Sequence, residues 1–147
     1  MKTIRQLLKV KGRKIWTINP TTRVFDALQM MAEKDVGALL VVNGKTLVGV
    51  FSERDYARKV ILQGKSSKSM RVNEIMSSPP IFIEPDNTVE QGLALMSAKH
   101  VRHLPVMENN RLIGIVTIGD LVKCLIDEQK VVIDHLEKYI LSNTSIT

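Results

Sequence analysis

The sequence predicts a mixed α/β (α+β) protein built from two β-α-β-β-α units that pack sheet to sheet about a pseudo-twofold axis. Three observations predict it. The first is a gapless internal repeat: Ile18, Pro20, Val24, Leu28, Met31, Lys34, Val36, Val41, Leu47, Gly49 and Asp55 recur 65 positions later as Ile83, Pro85, Val89, Leu93, Met96, Lys99, Val101, Val106, Leu112, Gly114 and Asp120. The second is that hydrophobic spacing changes from helical to strand-like in the same order in both copies. The third is a shared corner, "VGVFSERD" at 48–55 and "IGIVTIGD" at 113–120, where an aliphatic strand runs into a hydroxyl residue with an aspartate three places on. A unit this small leaves a sheet face bare, and its twin is the natural cover.

The elements follow in order. A basic segment, 1–14, precedes the first motif, 15–61. That motif opens with a short strand around Trp16 and Ile18, then a proline, then Val24, Ala27, Leu28 and Met31 at the i, i+3, i+4, i+7 spacing of an amphipathic helix. Two strands, "ALLVV" and "LVGVF", are joined through Asn43-Gly44, a hairpin-turn signal, and a helix from Glu53 to Ile61 closes the copy. Residues 62–79 read as a linker containing "GKSSKS". The second motif, 80–126, repeats the plan with a strand around Ile81 and Ile83, the stripe Val89, Gly92, Leu93 and Met96, and "LPVM" and "LIGIV" joined by an "ENNR" turn. Its last helix is expected to run on through "LIDEQKVVIDHLEKYIL" into a helix and tail over 127–147, its apolar face of Leu121, Leu125, Val132, Leu136 and Ile140 outrunning its own domain.

Composition narrows the function classes. With 44% hydrophobic and 4% aromatic residues the core is aliphatic, and the longest aliphatic run, "ALLVV", falls far short of the roughly 20 residues that cross a bilayer. One cysteine, Cys124, gives no internal disulfide, and the start has no apolar stretch of signal-peptide length, so a soluble cytoplasmic protein is expected. The net charge of +6 is concentrated in Lys2, Arg5, Lys9, Lys11, Arg13 and Lys14 and in an acid-free stretch over 58–71. No aromatic interleaving or nucleic-acid-binding signature accompanies it, so a solvated basic face or attraction for small anions is preferred to nucleic acid. His100, His103 and His135 lack metal-ligand spacing and no metal is expected. No nucleophile with an evident base, P-loop or dinucleotide fingerprint occurs, so catalysis is not expected. Cys124, at the position equivalent to Lys59, reads as an inert thiol.

The corners have two compatible readings. Ser52-x-x-Asp55 and Thr117-x-x-Asp120 fit a capping box, in which the hydroxyl accepts from a helix-start amide and the acid reaches back. The same corner, with free amides at a helix N-terminus, suits an anion, and an aspartate suits a ribose diol.

The segments "TINPTTRVFDALQMMAEKDVGALLVV" with "LVGVFSERD", and "IFIEPDNTVEQGLALMSAKHVRHLPVM" with "LIGIVTIGDL", resemble a tandem pair of CBS domains, the regulatory module named after cystathionine β-synthase. "VNEIMSSPP" at 72–80 resembles the opening of such motifs. The resemblance implies adenosine nucleotides in two clefts between the motifs, the acid holding ribose and hydroxyl or basic groups holding phosphate. Carried over by position, one cleft takes Ser52, Arg54 and Asp55 with Pro79, Pro80 and Ile81; the other takes Thr117 and Asp120 with Lys14, Ile15 and Trp16. Arg102 and His103, before "LPV", are implied phosphate groups, with Gly37 and Ala38 as their small counterparts in the first copy. The Asp120 cleft, given Thr117, Arg102, His103, Lys14 and Trp16, is expected to be the better adenylate site. AMP is the foremost ligand, with ADP, ATP, NAD(H) and S-adenosylmethionine open, and a homodimer signalling to a further protein is implied. Structural readings stand beside these: Arg102 as a surface cation, His103 as a half-buried strand residue, Trp16 as core or interface. A structural subunit with vacant clefts and a basic nucleic-acid binder are the alternatives to a nucleotide sensor.

Overall fold

The computed structural model describes residues 2–144; Met1 and the tail residues 145–147 lie outside the described part. The chain forms α1 (Ile4–Lys11), β1 (Thr17–Ile18), α2 (Val24–Lys34), β2 (Ala38–Asn43), β3 (Thr46–Ser52) and α3 (Glu53–Tyr56), which passes into a π-helical turn, Ala57–Ile61. A 3-10 turn at Val72–Glu74 leads to α4 (Val89–Lys99), β4 (His103–Glu108), β5 (Arg111–Thr117) and α5 (Ile118–Thr144). The mixed α/β plan is the expected one. The helix expected over 53–61 is α-helical only to Tyr56, and α5 runs past residue 126 as expected.

The repeat holds in the hydrogen bonding. Ala38 pairs with Ser52 and Asn43 with Thr46; His103 pairs with Thr117 and Glu108 with Arg111. Both ladders are antiparallel and shift register at the same place, between Val41 and Val42 and between Val106 and Met107. α2 and α4 end on Asp35 and His100, left-handed at φ 54° and 56°. The first hairpin turns on Gly44-Lys45, one residue later than the Asn-Gly signal, with Gly44 at φ 64°; the second uses Asn109 and Asn110 at 51° and 62°.

One expected strand is missing. β1 runs parallel to β2, with the Leu40 N–H donating to Trp16 O at 3.1 Å. The residue equivalent to Leu40 is Pro105, which has no N–H to offer Ile81, so the strand expected around Ile81 and Ile83 shrinks to a single bridge between Ile83 and Val106.

The segments ahead of each motif are exchanged. In one core, Val24, Ala27 and Met31 of α2, Leu39 and Val41 of β2 and Phe51 of β3 close on Met70, Val72 and Ile75 from the stretch between the motifs. In the other, Val89 and Met96 of α4, Leu104 and Val106 of β4, Val116 of β5 and Leu121 of α5 close on Ile4, Leu7 and Leu8 of α1. The two lead-in segments are themselves equivalent. Met70 O accepts from the Val24 N–H at 2.9 Å and Lys2 O from the Val89 N–H at 3.0 Å. Thr3 N–H donates to the Gln6 side chain (2.9 Å) as Arg71 N–H does to Glu74 (2.6 Å). Glycine makes room for both: a Cβ on Gly49 would lie 2.6 Å from Met76 Sδ, and one on Gly114 3.0 Å from Leu8 Cδ2.

The basic N-terminal segment is therefore amphipathic, with its apolar side in the second core. Arg5 pairs with Asp86 (3.2 Å) and with Glu108, and Lys11 with Asp120. These carboxylates sit on the second motif, so two of the segment's six cations, Arg5 and Lys11, are matched to it. Leu8 is fully buried, and Leu8→Ala should cost about 2–5 kcal/mol, read as a lower urea midpoint at unchanged slope. A loss below about 1 kcal/mol would show that α1 is not part of the second core.

Candidate functional site

The first corner is built by a strand that ends in a helix cap. β3 delivers Ser52 in extended conformation, φ −122° and ψ 162°, and α3 begins at once. The Ser52 hydroxyl accepts from the Asp55 N–H at 3.2 Å, and Asp55 Oδ2 accepts from the Ser52 N–H and hydroxyl at 3.0 and 3.1 Å. Asp55 Oδ1 accepts from the Ser77 hydroxyl at 3.0 Å and pairs with Lys59 Nζ at 3.2 Å. Asp55 is 7% exposed, the one buried charged residue among the described residues. Three hydrogen bonds and a lysine one helical turn away satisfy that carboxylate inside the fold.

Beside this corner lies a cavity of about 860 Å³. That volume is in the range of small-ligand sites. Ser52, Glu53, Arg54, Asp55, Arg58 and Lys59 form one wall, Ser77, Pro79 and Ile81 another, and the run from Lys99 to His103, with Gly37 and Val50, the third. Cations outnumber acids: Arg54, Arg58, Lys59, Lys99 and Arg102 face Glu53 and Asp55. The cavity spans both motifs, and Arg54 crosses it to donate to His100 O at 2.6 Å.

This grouping corrects the expected one. Arg102 and His103, grouped from the sequence with Asp120, line the cavity of Asp55. The cause is the approach of the two equivalent strand starts: His103 Nε2 would lie 3.4 Å from a Cβ on Gly37, so both starts sit at the junction of the motifs. Gly37 O accepts from the Glu53 N–H (3.1 Å) and Arg102 O from the Ile118 N–H (2.9 Å), which ties each start to its own corner. Gly37 and Ile81 line the cavity as grouped from the sequence. Ala38, buried opposite Ser52, and Pro80, next to the lining Pro79, are not among its lining residues.

The second corner is differently filled. Thr117 N–H donates to Asp120 Oδ2 at 2.9 Å and Asp120 N–H to the Thr117 hydroxyl at 3.1 Å, the same cap. Lys11 Nζ then pairs with Asp120 Oδ2 at 2.5 Å and donates to Ile115 O at 2.7 Å. Its counterpart in the first corner is Ser77, whose N–H donates to Val50 O at 2.9 Å and whose hydroxyl bonds Asp55. One ammonium on a long arm thus does the work of one serine, and Cys124 stands where Lys59 stands in the first copy. Trp16 packs on the first core and lies under two cations, Lys14 at 4.8 Å and Lys34 at 4.5 Å from the ring centre. Ile15 is half-buried beside it. Lys14, Ile15 and Trp16 therefore do not line the Asp55 cavity.

Residues missed by sequence reasoning are Glu53, Arg58, Lys59, Ser77, Lys99 and His100. The i, i+4 spacing of Asp55 and Lys59 was a usable signal. Ser77 comes from the stretch read as linker and carried none.

His103 is set apart electrostatically. Burial pushes its pKa down, Lys11 and Arg102 push the same way, and Glu53 and Asp120 oppose them. The folded imidazole thus stays neutral where an unfolded histidine, near 6.5, takes up a proton. The unfolded state then binds more protons, so stability is lost as pH falls below about 6.5 toward the folded value. His103→Gln should flatten the drop in melting temperature between neutral and mildly acidic pH; an unchanged drop would assign it to other groups.

Comparison with known proteins supplies the context. The CBS domain family model matches residues 9–61 and 72–127. The mitochondrial CBS domain-containing protein CBSX3 of Arabidopsis thaliana is 37% identical over 148 residues, covering 94% of this chain and 71% of the relative. A solved signal-transduction protein with CBS domains from Burkholderia ambifaria MC40-6 superposes with a TM-score of 0.83 at 47% identity, over 87% of this chain and 96% of that one. The CBS domain pair of protein MJ0100, solved with 5′-methylthioadenosine and S-adenosyl-L-methionine, shares the fold with a TM-score of 0.76 at 22% identity, over 87% of this chain and 98% of that one. No helix among the described residues is long and apolar enough to cross a membrane.

Proposed function

The chain belongs to the CBS domain family, and from that premise we propose that it is a sensor module taking an adenosine-containing nucleotide in the cavity beside Asp55. The observation that carries the reading is the pairing, in one cavity, of a buried charged carboxylate at a helix start with cations from both motifs. The carboxylate suits a ribose diol, and Arg58, Lys99 and Arg102 suit phosphate. The adenosine ligands of the MJ0100 pair support the class. AMP is the first choice, with ADP, ATP, NAD(H) and S-adenosylmethionine in the same class, and no metal enters the reading.

Ligand would act by engaging both motifs at once. A ribose hydroxyl at Asp55 Oδ1 competes with Ser77 and Lys59, and phosphate draws on the side that Arg54 already ties to His100. Regulation follows only if two packings of the motifs bind ligand differently. A homodimer reporting that difference to a further cytoplasmic protein completes the proposal; it carries out no catalysis of its own. A second reading is an interaction subunit that binds no nucleotide, the two corners serving only as helix caps.

Melting shifts separate the two. Ligand at a hundred times its dissociation constant adds about 2.7 kcal/mol to stability. AMP should raise the melting temperature more than adenosine, by an amount that salt reduces, since exposed phosphate contacts are screened over about 8 Å. Asp55→Ala should remove most of the AMP-induced shift, a loss of about 1–3 kcal/mol or roughly five- to a hundredfold in affinity, while Asp120→Ala keeps more of it. The opposite order would move the site to the Lys11-paired corner. No shift with any of the five ligands would leave the interaction-subunit reading.

A further inference from the structure

His103 stands half-buried at the junction of the motifs, in the wall of the Asp55 cavity. Its backbone is fixed in β4 opposite Thr117, and its Nε2 lies 3.4 Å from the place of a Cβ on Gly37. Neither ring nitrogen is hydrogen-bonded to any described residue. Charged groups face the ring from every element around it. Burial disfavours the imidazolium most, Lys11 of α1 and the adjoining Arg102 disfavour it too, and Glu53 of α3 and Asp120 of α5 favour it. Across the cavity stand Arg54, Asp55, Arg58 and Lys59 on α3 and the turn after it, with Lys99 and His100 from the end of α4.

The cations of this wall are unequally committed. Arg54 donates to His100 O, and Lys59 donates to Ile75 O at 2.9 Å while it pairs with Asp55. Arg58, Lys99 and Arg102 have no hydrogen bond or ion pair with any described residue. A phosphate is drawn to such uncommitted cations, and Arg102 adjoins His103 in the chain. An anion there reverses the balance at the ring: it offsets the positive neighbours that oppose a proton, and it accepts from a ring nitrogen that has no other partner. Resting on the reading of this cavity as a nucleotide site, we propose that the site takes up its nucleotide together with a proton, which His103 holds against the phosphate. The ring is neutral in the free protein and charged in the complex. Affinity then rises as pH falls, by up to about tenfold per pH unit for one coupled proton, and the gain stops once the free ring is itself protonated. The proton also makes the ring attractive to Glu53 and Asp120, one acid from the corner of each motif. The module thereby answers acidification and nucleotide through one side chain.

Calorimetric titration of AMP into the full chain, in buffers of different ionisation heat, counts the protons taken up with each ligand. Wild type should take up more protons per AMP than His103→Gln, which keeps a side-chain donor and acceptor but does not titrate. Between about pH 7.5 and about pH 6, wild-type affinity should also gain several-fold more than that of the variant. The phosphate of AMP has its own ionisation at about 6, common to both chains, so the difference between them reports the histidine. If His103→Gln does not fold, the ring-proton resonances of the three histidines still give the answer. The resonance that remains in both His100→Gln and His135→Gln should move toward the imidazolium position when AMP is added at about pH 7. Equal proton uptake by wild type and His103→Gln, or a His103 resonance that AMP leaves at the neutral position, would overturn the coupling and leave the nucleotide site standing. No binding of AMP at any pH would overturn the nucleotide reading, and the coupling with it.

Discussion

Neither motif closes its core with the residues that directly precede it, and the rest of the structure depends on that burial constraint. The stretch at 70–76 covers the first motif and α1 covers the second, so the chain crosses itself once between them. The driving force is ordinary. Ile4, Leu8, Met70, Val72 and Ile75 leave water, each fully buried apolar side chain contributing about 1.5–3 kcal/mol. The arrangement binds two small cores, each weak by itself, into one unit.

The corners follow from this exchange. The first lead-in brings Ser77 to Asp55 and carries Pro79 on toward the cavity. The second is helical as far as Lys11, so a side chain and not the backbone reaches Asp120 and Ile115. Two equivalent aspartates thus sit in unequal surroundings: Asp55 has a neutral hydroxyl and an intrahelical lysine, Asp120 an ammonium delivered across the fold. A site and its pseudo-symmetric twin can differ this way without any change in the strand-to-helix corner itself.

Capping and ligand binding are not rivals at such a corner. The cap uses Asp55 Oδ2, while Oδ1 faces Ser77 and Lys59, groups that a ligand hydroxyl could replace in kind. The cap holds the carboxylate in a fixed orientation, which is what recognition of a diol needs.

The sequence by itself determined what is local or periodic. The repeat, the helix stripes, both hairpins and both caps could be read because each depends on residues within a few places of one another, or on the same pattern occurring twice. Even the lost strand was written in it, since Pro105 has no donor to give. Tertiary structure alone decided which lead-in covers which core, that Ser77 and Lys11 serve the two aspartates, and that Arg102 and His103 face the Asp55 cavity. These contacts join residues far apart in the chain, and a repeat at one offset cannot say whether like meets like or crosses over. Here the lead-ins cross, at an offset of 68 between Ile4 and Val72 in place of the 65 of the motifs, because each bare apolar surface is covered by whichever segment can reach it.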